Sequence, residues 1–513
     1  MNQPAQKVEL LCPGGDLEKL KQAIRYGADA CYIAGQAYGL RTRAGNFTPE
    51  EMAEALDFAH SRGAKVYVVA NLVAHEGEDA AAADYFRSLE HFGIDAVLIS
   101  DPGLIAICQQ CAPDLPIHLS TQASALNYRA LQFWQEQGLE RVVLGRETSL
   151  EEIKELKAKC SLELEYFVHG AMCVSYSGRC VLSNHLLQRD ANRGGCAQPC
   201  RWVYDLYGPP ACGSPLLAKR RTTEKASEQA ALPHLAKRPT TEKTSEQAAV
   251  LPITPEQVAS DLETEQNLPF SLSAADLALI DYLPELIEAG VDSLKIEGRM
   301  KSLHYVATVT NVYRTAIDRY YANPEAYRAD PDWKSELAKA AQRQFSTGFL
   351  LGRPTAAAQS YSDQSPAKDY SFVGLVIDYD QESGLATLEQ RGKFSVGDRL
   401  EFIGPAMLPQ ETVAQWMINE EGEQIESCPH PQMRLKLPLS FPVKPYDLVR
   451  KLANPESADA PESARRLTDD TPESAGQLTP GAPESTERSL EGTAEDTGRS
   501  AETTPEKAGV KHA

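Results

Sequence analysis

From Val8 onward, short apolar runs alternate with helix-length amphipathic segments, and the rhythm returns about every 25 to 30 residues. Few folds accept such a chain. Runs without polar alternation suit strands buried on both faces, and parallel strands need a helical crossover between them. Seven runs fit: Val8–Leu11, Ala30–Ile33, Lys65–Ala70, Ala96–Ile99, Ile117–Ser120, Arg141–Leu144 and Leu164–Phe167. An eighth, Ser293–Ile296, follows the helical pattern DLALIDYLPELIEAG starting at Asp276, and a further helix is expected from about His304 to Tyr321. Two helix starts are written into the sequence. Thr48-Pro49-Glu50-Glu51 supplies an N-cap, a proline at the first helical position and early acids, and Ser149-Leu150-Glu151-Glu152 has capping-box spacing. The expected fold is α/β, a (β/α)8 TIM-like barrel whose reactive groups sit where strands end and loops begin.

The remaining segments sort by composition. Residues 1–325 are assigned to the barrel, with a cysteine-rich loop at 165–202 after strand seven and a low-complexity insert at 213–262. The insert carries a direct repeat of period 18, LAKRRTTEKASEQAALP then LAKRPTTEKTSEQAAVLP, and reads as a flexible or loosely helical linker. A helical connector is expected at 326–370. Short strands with Gly and Asp turns make 371–452 a small C-terminal all-β domain. The tail, 453–513, repeats Pro-Glu-Ser four times without an aromatic residue, so it is expected to be disordered.

The cysteine-rich loop concentrates the chemistry. Cys173, Cys180, Cys196 and Cys200 are spaced C-x6-C-x15-C-x3-C among Gly170, Gly178, Gly194 and Gly195. Eleven cysteines in an acidic chain of net charge -21, with no apolar run of 18 and no signal-like N-terminus, point to a reduced, cytoplasmic setting. Grouped thiolates there suit an iron–sulfur cluster or a structural zinc, with unliganded cysteines the third reading. The net charge argues against a simple electrostatic grip on nucleic acid. Cys108 and Cys111 form a C-x2-C in the fourth helix and read as buried structural residues. His75-Glu76 continues Gly-Glu-Asp, so the second histidine of a zinc-protease helix is missing.

Polar residues at strand ends make a second set of candidates. They are Arg41, Arg43, Asn71, Gln122, Arg146, Glu147, His169, Glu297 and Arg299. Arginines converging on one barrel mouth suit a substrate with carboxylates or phosphates. The plainer reading makes some of them, Glu297 and Arg299 above all, a structural ion network.

Glu165-x-Phe167-x2-Gly170-Ala171-Met172-Cys173-x4-Gly178-x-Cys180-x-Leu182-Ser183 resembles the signature of the U32 peptidase-like family. ELLCPGG at Glu9, YGADACYIAG at Tyr26, SDPGLI at Ser100, PIHLSTQA at Pro116, SLKIEGRMKS at Ser293 and KFSVGDRLEF at Lys393 extend the resemblance over residues 8–451, the repeat excepted. FVHGAMCVSYSGRC with RGGCAQPCRW is most similar to the branch that takes part in forming 5-hydroxyuridine at the tRNA wobble position. That resemblance implies an oxygen-independent, prephenate-linked RNA hydroxylation and a [4Fe-4S] cluster held by Cys173, Cys180, Cys196 and Cys200. It implies tRNA, prephenate and electron-donor or other iron–sulfur proteins as partners, and no membrane. A related ubiquinone-hydroxylating pair draws its ligands from more than this loop, which leaves Cys12, Cys31 or Cys212 as substitutes for one of the four. The competing functions are a U32-type peptidase, a sibling hydroxylase acting on ribosomal RNA or a ubiquinone precursor, and a zinc-stabilised RNA-binding scaffold. No Gly-x-Ser-x-Gly elbow supports the peptidase.

Overall fold

A computed structural model describes residues 7–39, 46–207, 217–220, 269–341, 343–354, 358–360, 370–406 and 409–452. Seven strands, β1 (Glu9–Pro13), β2 (Ala30–Ile33), β3 (Lys65–Val69), β4 (Ala96–Ile99), β5 (Ile117–Leu119), β6 (Arg141–Val143) and β7 (Glu163–Gly170), run parallel in sequence order. A closing strand, Ser293–Ile296, pairs in parallel with both β7 and β1, so the sheet is a complete eight-stranded barrel without an edge. Helices α1 (Leu17–Arg25), α2 (Pro49–His60), α3 (Asp79–Phe92), α4 (Pro102–Cys111), α5 (Tyr128–Glu136) and α6 (Leu150–Lys159) wrap it, followed by Leu283–Glu288 and the long helix Leu303–Ala322. Both capping boxes form: Thr48 with Glu51 and Ser149 with Glu152.

Inward-facing side chains near the strand starts are unusually polar. Arg141 donates to Glu9 at 2.6 Å and to Glu163 at 2.8 Å, while Tyr67 and Ser293 hydroxyls reach Glu9 at 2.6 and 2.8 Å. Burial raises the Glu9 carboxyl, but the adjacent Arg141 guanidinium more than offsets this and leaves it below its usual range. One level up, Lys295 pairs with Glu165 at 2.6 Å. This network fills the lower barrel, so open space lies toward the strand ends.

One expected helix is shorter than its pattern. Asp276–Ala278 is instead a strand, antiparallel to β7 through Leu277↔Gly170 and Ala278↔His169, and helix starts only at Leu283, where Pro284 suits a first turn. Buried Asp276 is held by Arg343 at 2.5 Å and Lys301 at 3.8 Å. Leu217–Arg220, the first residues of the repeat, pair antiparallel with Val203–Tyr207 rather than coil. The rest of the repeat, Cys212 and the Pro-Glu-Ser tail lie outside the described residues.

After the long helix come the helix Pro331–Ala340 and the strand pairs Phe345–Ser346 and Gln359–Ser360. Tyr370–Leu452 then folds into an eight-stranded antiparallel sheet with its own core. Leu375, Ile403 and Leu448 of that sheet pack on Tyr26, Leu303 and Ala307 of the barrel, and the Tyr26 hydroxyl donates to the Ile403 carbonyl at 2.7 Å. No described helix is long and apolar enough to cross a membrane.

Candidate active site at the barrel mouth

The chain leaves β7 through Gly170, whose φ of +108° and whose position, 2.5 Å from the Glu297 carbonyl for an added Cβ, exclude a side chain. The cysteine-rich loop then folds back over the mouth. Gly178, at φ +73°, lies against the Gln122 backbone, where an added Cβ would meet the carbonyl oxygen at 2.2 Å. The Ser177 amide donates to Glu147 at 3.0 Å, and Arg193 bridges to Glu78 at 2.6 Å and to the Val73 carbonyl at 2.7 Å. These contacts fix the loop to three different strand ends.

Beneath the loop is a cavity of about 290 Å³. Tyr32, Val69, Leu98, Phe167 and Lys295 form its floor, and Asn71, Ser120, Gln122, Arg146, Glu297 and Arg299 its wall. Cys173, Cys180, Cys196 and Cys200 all line it from the loop side, none of them in a disulfide. Burial pushes the Cys200 thiol up to about 11, opposed by Arg201 and reinforced by the other three cysteines. Among the described residues no three His, Cys, Asp or Glu side chains are grouped closely enough to hold a metal ion as they stand.

The other candidates are distributed unevenly. Arg146 pairs with Glu297 at 3.0 Å and lies 3.7 Å over the Phe167 ring, so Glu297 has a partner across the mouth. Arg299 is buried and donates to Asn46 at 3.2 Å. Asn71 donates to Ser120 at 3.2 Å while its buried Oδ1 has no donor among the described residues. Glu147 anchors the loop through Ser177 rather than lining the cavity. Arg41 and Arg43 lie outside the described residues.

His169 is placed differently from its reading as a mouth residue. The register between β7 and the closing strand slips, pairing Lys295 with Phe167 but Ile296 with His169. One skipped residue turns the imidazole to the outer face. There it packs against Tyr305, Tyr313 and Phe345, and burial pushes it down to about 3, with Lys301 adding to the shift. Cys12 and Cys31 also face outward, toward Thr310 at 3.2 Å and the Leu20 carbonyl at 3.9 Å, away from the four loop thiols. Cys108 and Cys111 close α4, the first buried and the second half-buried.

Sequence reasoning missed Lys295, Tyr32 and Arg201. The first had a usable signal, since a lysine two residues after Ser293 and two before Glu297 shares their inward face. Arg201 sits on the 3₁₀ turn Pro199–Arg201 beside the last cysteine, and its Nη1 donates to Gln198 at 2.6 Å. Four cations, Arg146, Arg201, Lys295 and Arg299, therefore line the cavity with one carboxylate, Glu297. Such a chamber suits a small anion carrying more than one acidic group.

Residues 15–360 match the peptidase family U32 and residues 368–450 match that family's C-terminal domain. The tRNA hydroxylation protein P1 of Bacillus subtilis is 43% identical over 446 residues, covering 87% of this chain and 95% of that protein. The tRNA hydroxylation protein P of Escherichia coli is 36% identical over 439 residues, covering 84% and 94%. The 23S rRNA 5-hydroxycytidine C2501 synthase of Escherichia coli is 31% identical over 318 residues, covering 62% of this chain and 40% of that protein. With its barrel, its loop of four cysteines and its C-terminal sheet, the chain belongs to peptidase family U32.

Proposed function

We propose that the protein takes part in hydroxylating the wobble uridine of tRNA to 5-hydroxyuridine, with prephenate as co-substrate and a [4Fe-4S] cluster on Cys173, Cys180, Cys196 and Cys200. The observation that carries the reading is the meeting of four free thiols and four cationic side chains on one 290 Å³ cavity. The names of the relatives at 43% and 36% identity support tRNA hydroxylation, the coarser part of this reading. The donor set fits the group. Thiolates are the usual ligands of such clusters. Zinc would need the four sulfurs within about 3.8 Å of one another, the edge of a tetrahedron with ~2.3 Å bonds.

When bound, a cluster with four protein ligands supplies electron transfer or structural closure of the loop. The chain's own residues do the rest. Arg299 and Lys295 hold the carboxylates of a dicarboxylate, and Arg146, oriented by Glu297, flanks it. The Asn71 Oδ1 accepts from a ligand hydroxyl. The loop over the mouth limits the entry of water. A peptidase reading finds less support, because the sequence offers neither the second histidine of a zinc-protease helix nor a Gly-x-Ser-x-Gly elbow.

Mass spectrometry of tRNA nucleosides tests the proposal. A deletion strain is expected to lose 5-hydroxyuridine derivatives and regain them with the wild-type gene but not with a Cys173→Ser variant. Unchanged tRNA with missing 5-hydroxycytidine in ribosomal RNA would move the assignment to the sibling reaction.

A further inference from the structure

Nine large apolar side chains are exposed among the described residues, and three of them, Val174, Tyr176 and Met300, line the cavity at the barrel mouth. Tyr176 is the one aromatic of the three, 56% exposed although it also lines the cavity. Its backbone is not loose: the Arg179 amide donates to the Tyr176 carbonyl at 3.1 Å, and the next residue, Ser177, is tied to Glu147. A tyrosine ring held on a fixed loop and left in water serves no packing purpose.

Charge at the same place runs against the rest of the molecule. Between Gly170 and Trp202 the chain has four arginines, Arg179, Arg189, Arg193 and Arg201, and one acid, Asp190, in a protein of net charge -21. Arg193 is engaged with Glu78, Arg201 lines the cavity, and Arg179 is exposed beside Tyr176, where its Nε donates to Ser124 at 3.3 Å. An apolar rim with an aromatic face, bordered by guanidinium groups and opening into a chamber, matches one occupant. That occupant is an unpaired nucleobase with its flanking phosphates, because stacking takes the base and arginines take the backbone. A paired base would not fit, since its faces are covered by its neighbours.

We infer that Tyr176 is a stacking platform that receives an unstacked base of single-stranded RNA at the mouth, with Arg179 on an adjoining phosphate. The assignment rests on the RNA-modifying reading above and adds how the RNA is presented. It places recognition on the cysteine-rich loop, so the loop that roofs the cavity also holds the substrate.

Binding of the full-length, cluster-loaded protein to a fluorescent anticodon stem-loop with uridine at the wobble position tests it. The same strand annealed to its complement serves as the paired control. Tyr176→Ala is expected to weaken stem-loop binding about tenfold or more, Tyr176→Phe to keep it within about twofold, and the duplex to bind poorly throughout. Arg179→Ala is expected to weaken binding and flatten its salt dependence. Visible absorption of each variant, compared with wild type, shows that the loop and its cluster are intact. Stem-loop binding by Tyr176→Ala equal to that of the wild type overturns the platform while leaving the RNA reading standing. If the wild type itself neither binds the stem-loop nor supports tRNA modification, both fall. Loss of modification in Tyr176→Ala cells with RNA binding intact would assign the rim to a protein partner instead and also overturn it.

Discussion

His169 and His304 are both buried without charge, the first behind the barrel wall and the second under the C-terminal sheet, where its ring stacks on Phe372. Burial pushes each down to about 3, helped by Lys301 near His169 and by Arg450 near His304, with Glu336 opposing at the latter. A histidine in the unfolded chain titrates near ~6.5. Between about pH 6.5 and 3 the unfolded chain therefore binds protons that the folded one refuses, and stability is complete above that window and falls as pH drops through it. The loss is about 1.4 kcal/mol per pH unit for each histidine, or about 2 kcal/mol each at pH 5. His169→Phe removes one of the two contributions, and it leaves no hydrogen bond broken at Nδ1, which has no partner among the described residues. Urea midpoints at pH 7.5 and pH 5.0 are expected to show the variant losing about 2 kcal/mol less than the wild type. Equal losses would mean that His169 is not held neutral. The same residue shows where pattern reading stops. Its position at the end of β7 was legible, but its face was not, because a single skipped pairing opposite Ile296 reverses a period-2 alternation.

At the level of elements, the strands were the most legible part of the chain. Ala30–Ile33, Ala96–Ile99 and Ser293–Ile296 have the bounds that their apolar runs suggest, because strands buried on both faces carry their signal in their own residues. Asp276–Ala278 was misread as helix for the opposite reason: its strand exists through pairings distant in sequence, with Gly170 and His169 more than a hundred residues earlier and with Phe345–Ser346 on its other side. The four cysteines were legible as a group, whereas the cations facing them depend on barrel closure. The loop's own conformation depends on one glycine. A side chain at residue 178 would meet the Gln122 carbonyl and would have to hold φ +73°. Gly178→Ala is therefore expected to lift the segment from Cys173 to Cys180 off the mouth while leaving the barrel, where neither residue is packed, close to wild-type stability. Iron and sulfide of the proposed cluster should fall by more than half, and limited proteolysis should cut within 173–201 first, with the melting temperature changed by less than about 4 °C. A variant with full iron content and an uncut loop would show that the close approach to Gln122 does not hold the loop.

Across the whole molecule, the barrel and the C-terminal sheet meet at a junction that is apolar at one side and ionic at the other. Arg450, fully buried on the last strand of the sheet, pairs with Glu401 within the sheet and with Glu336 of the helix Pro331–Ala340 at 2.7 Å, while Lys339 reaches Glu401 at 3.0 Å. Burial disfavours the Arg450 charge, but the two carboxylates outweigh it and hold the guanidinium above its usual value. Buried ion pairs add little compared with a well-packed apolar substitute, yet removing one partner leaves the others uncompensated at a cost of about 3 to 5 kcal/mol. Arg450→Ala leaves Glu401 and Glu336 facing each other with Lys339 alone between them. The two carboxylates lie on opposite sides of the junction, so their repulsion acts on docking rather than on either core. Calorimetry is expected to show one transition for the wild type and two for Arg450→Ala, the first being release of the sheet from the helix. An Arg450→Met, Glu401→Gln double variant, which leaves Lys339 paired with Glu336 at 3.1 Å and no charge unmatched, should restore a single transition. Two transitions in the wild type, or a double variant no more cooperative than Arg450→Ala, would show that the apolar contact of Tyr26, Leu303 and Leu448 alone sets the docking.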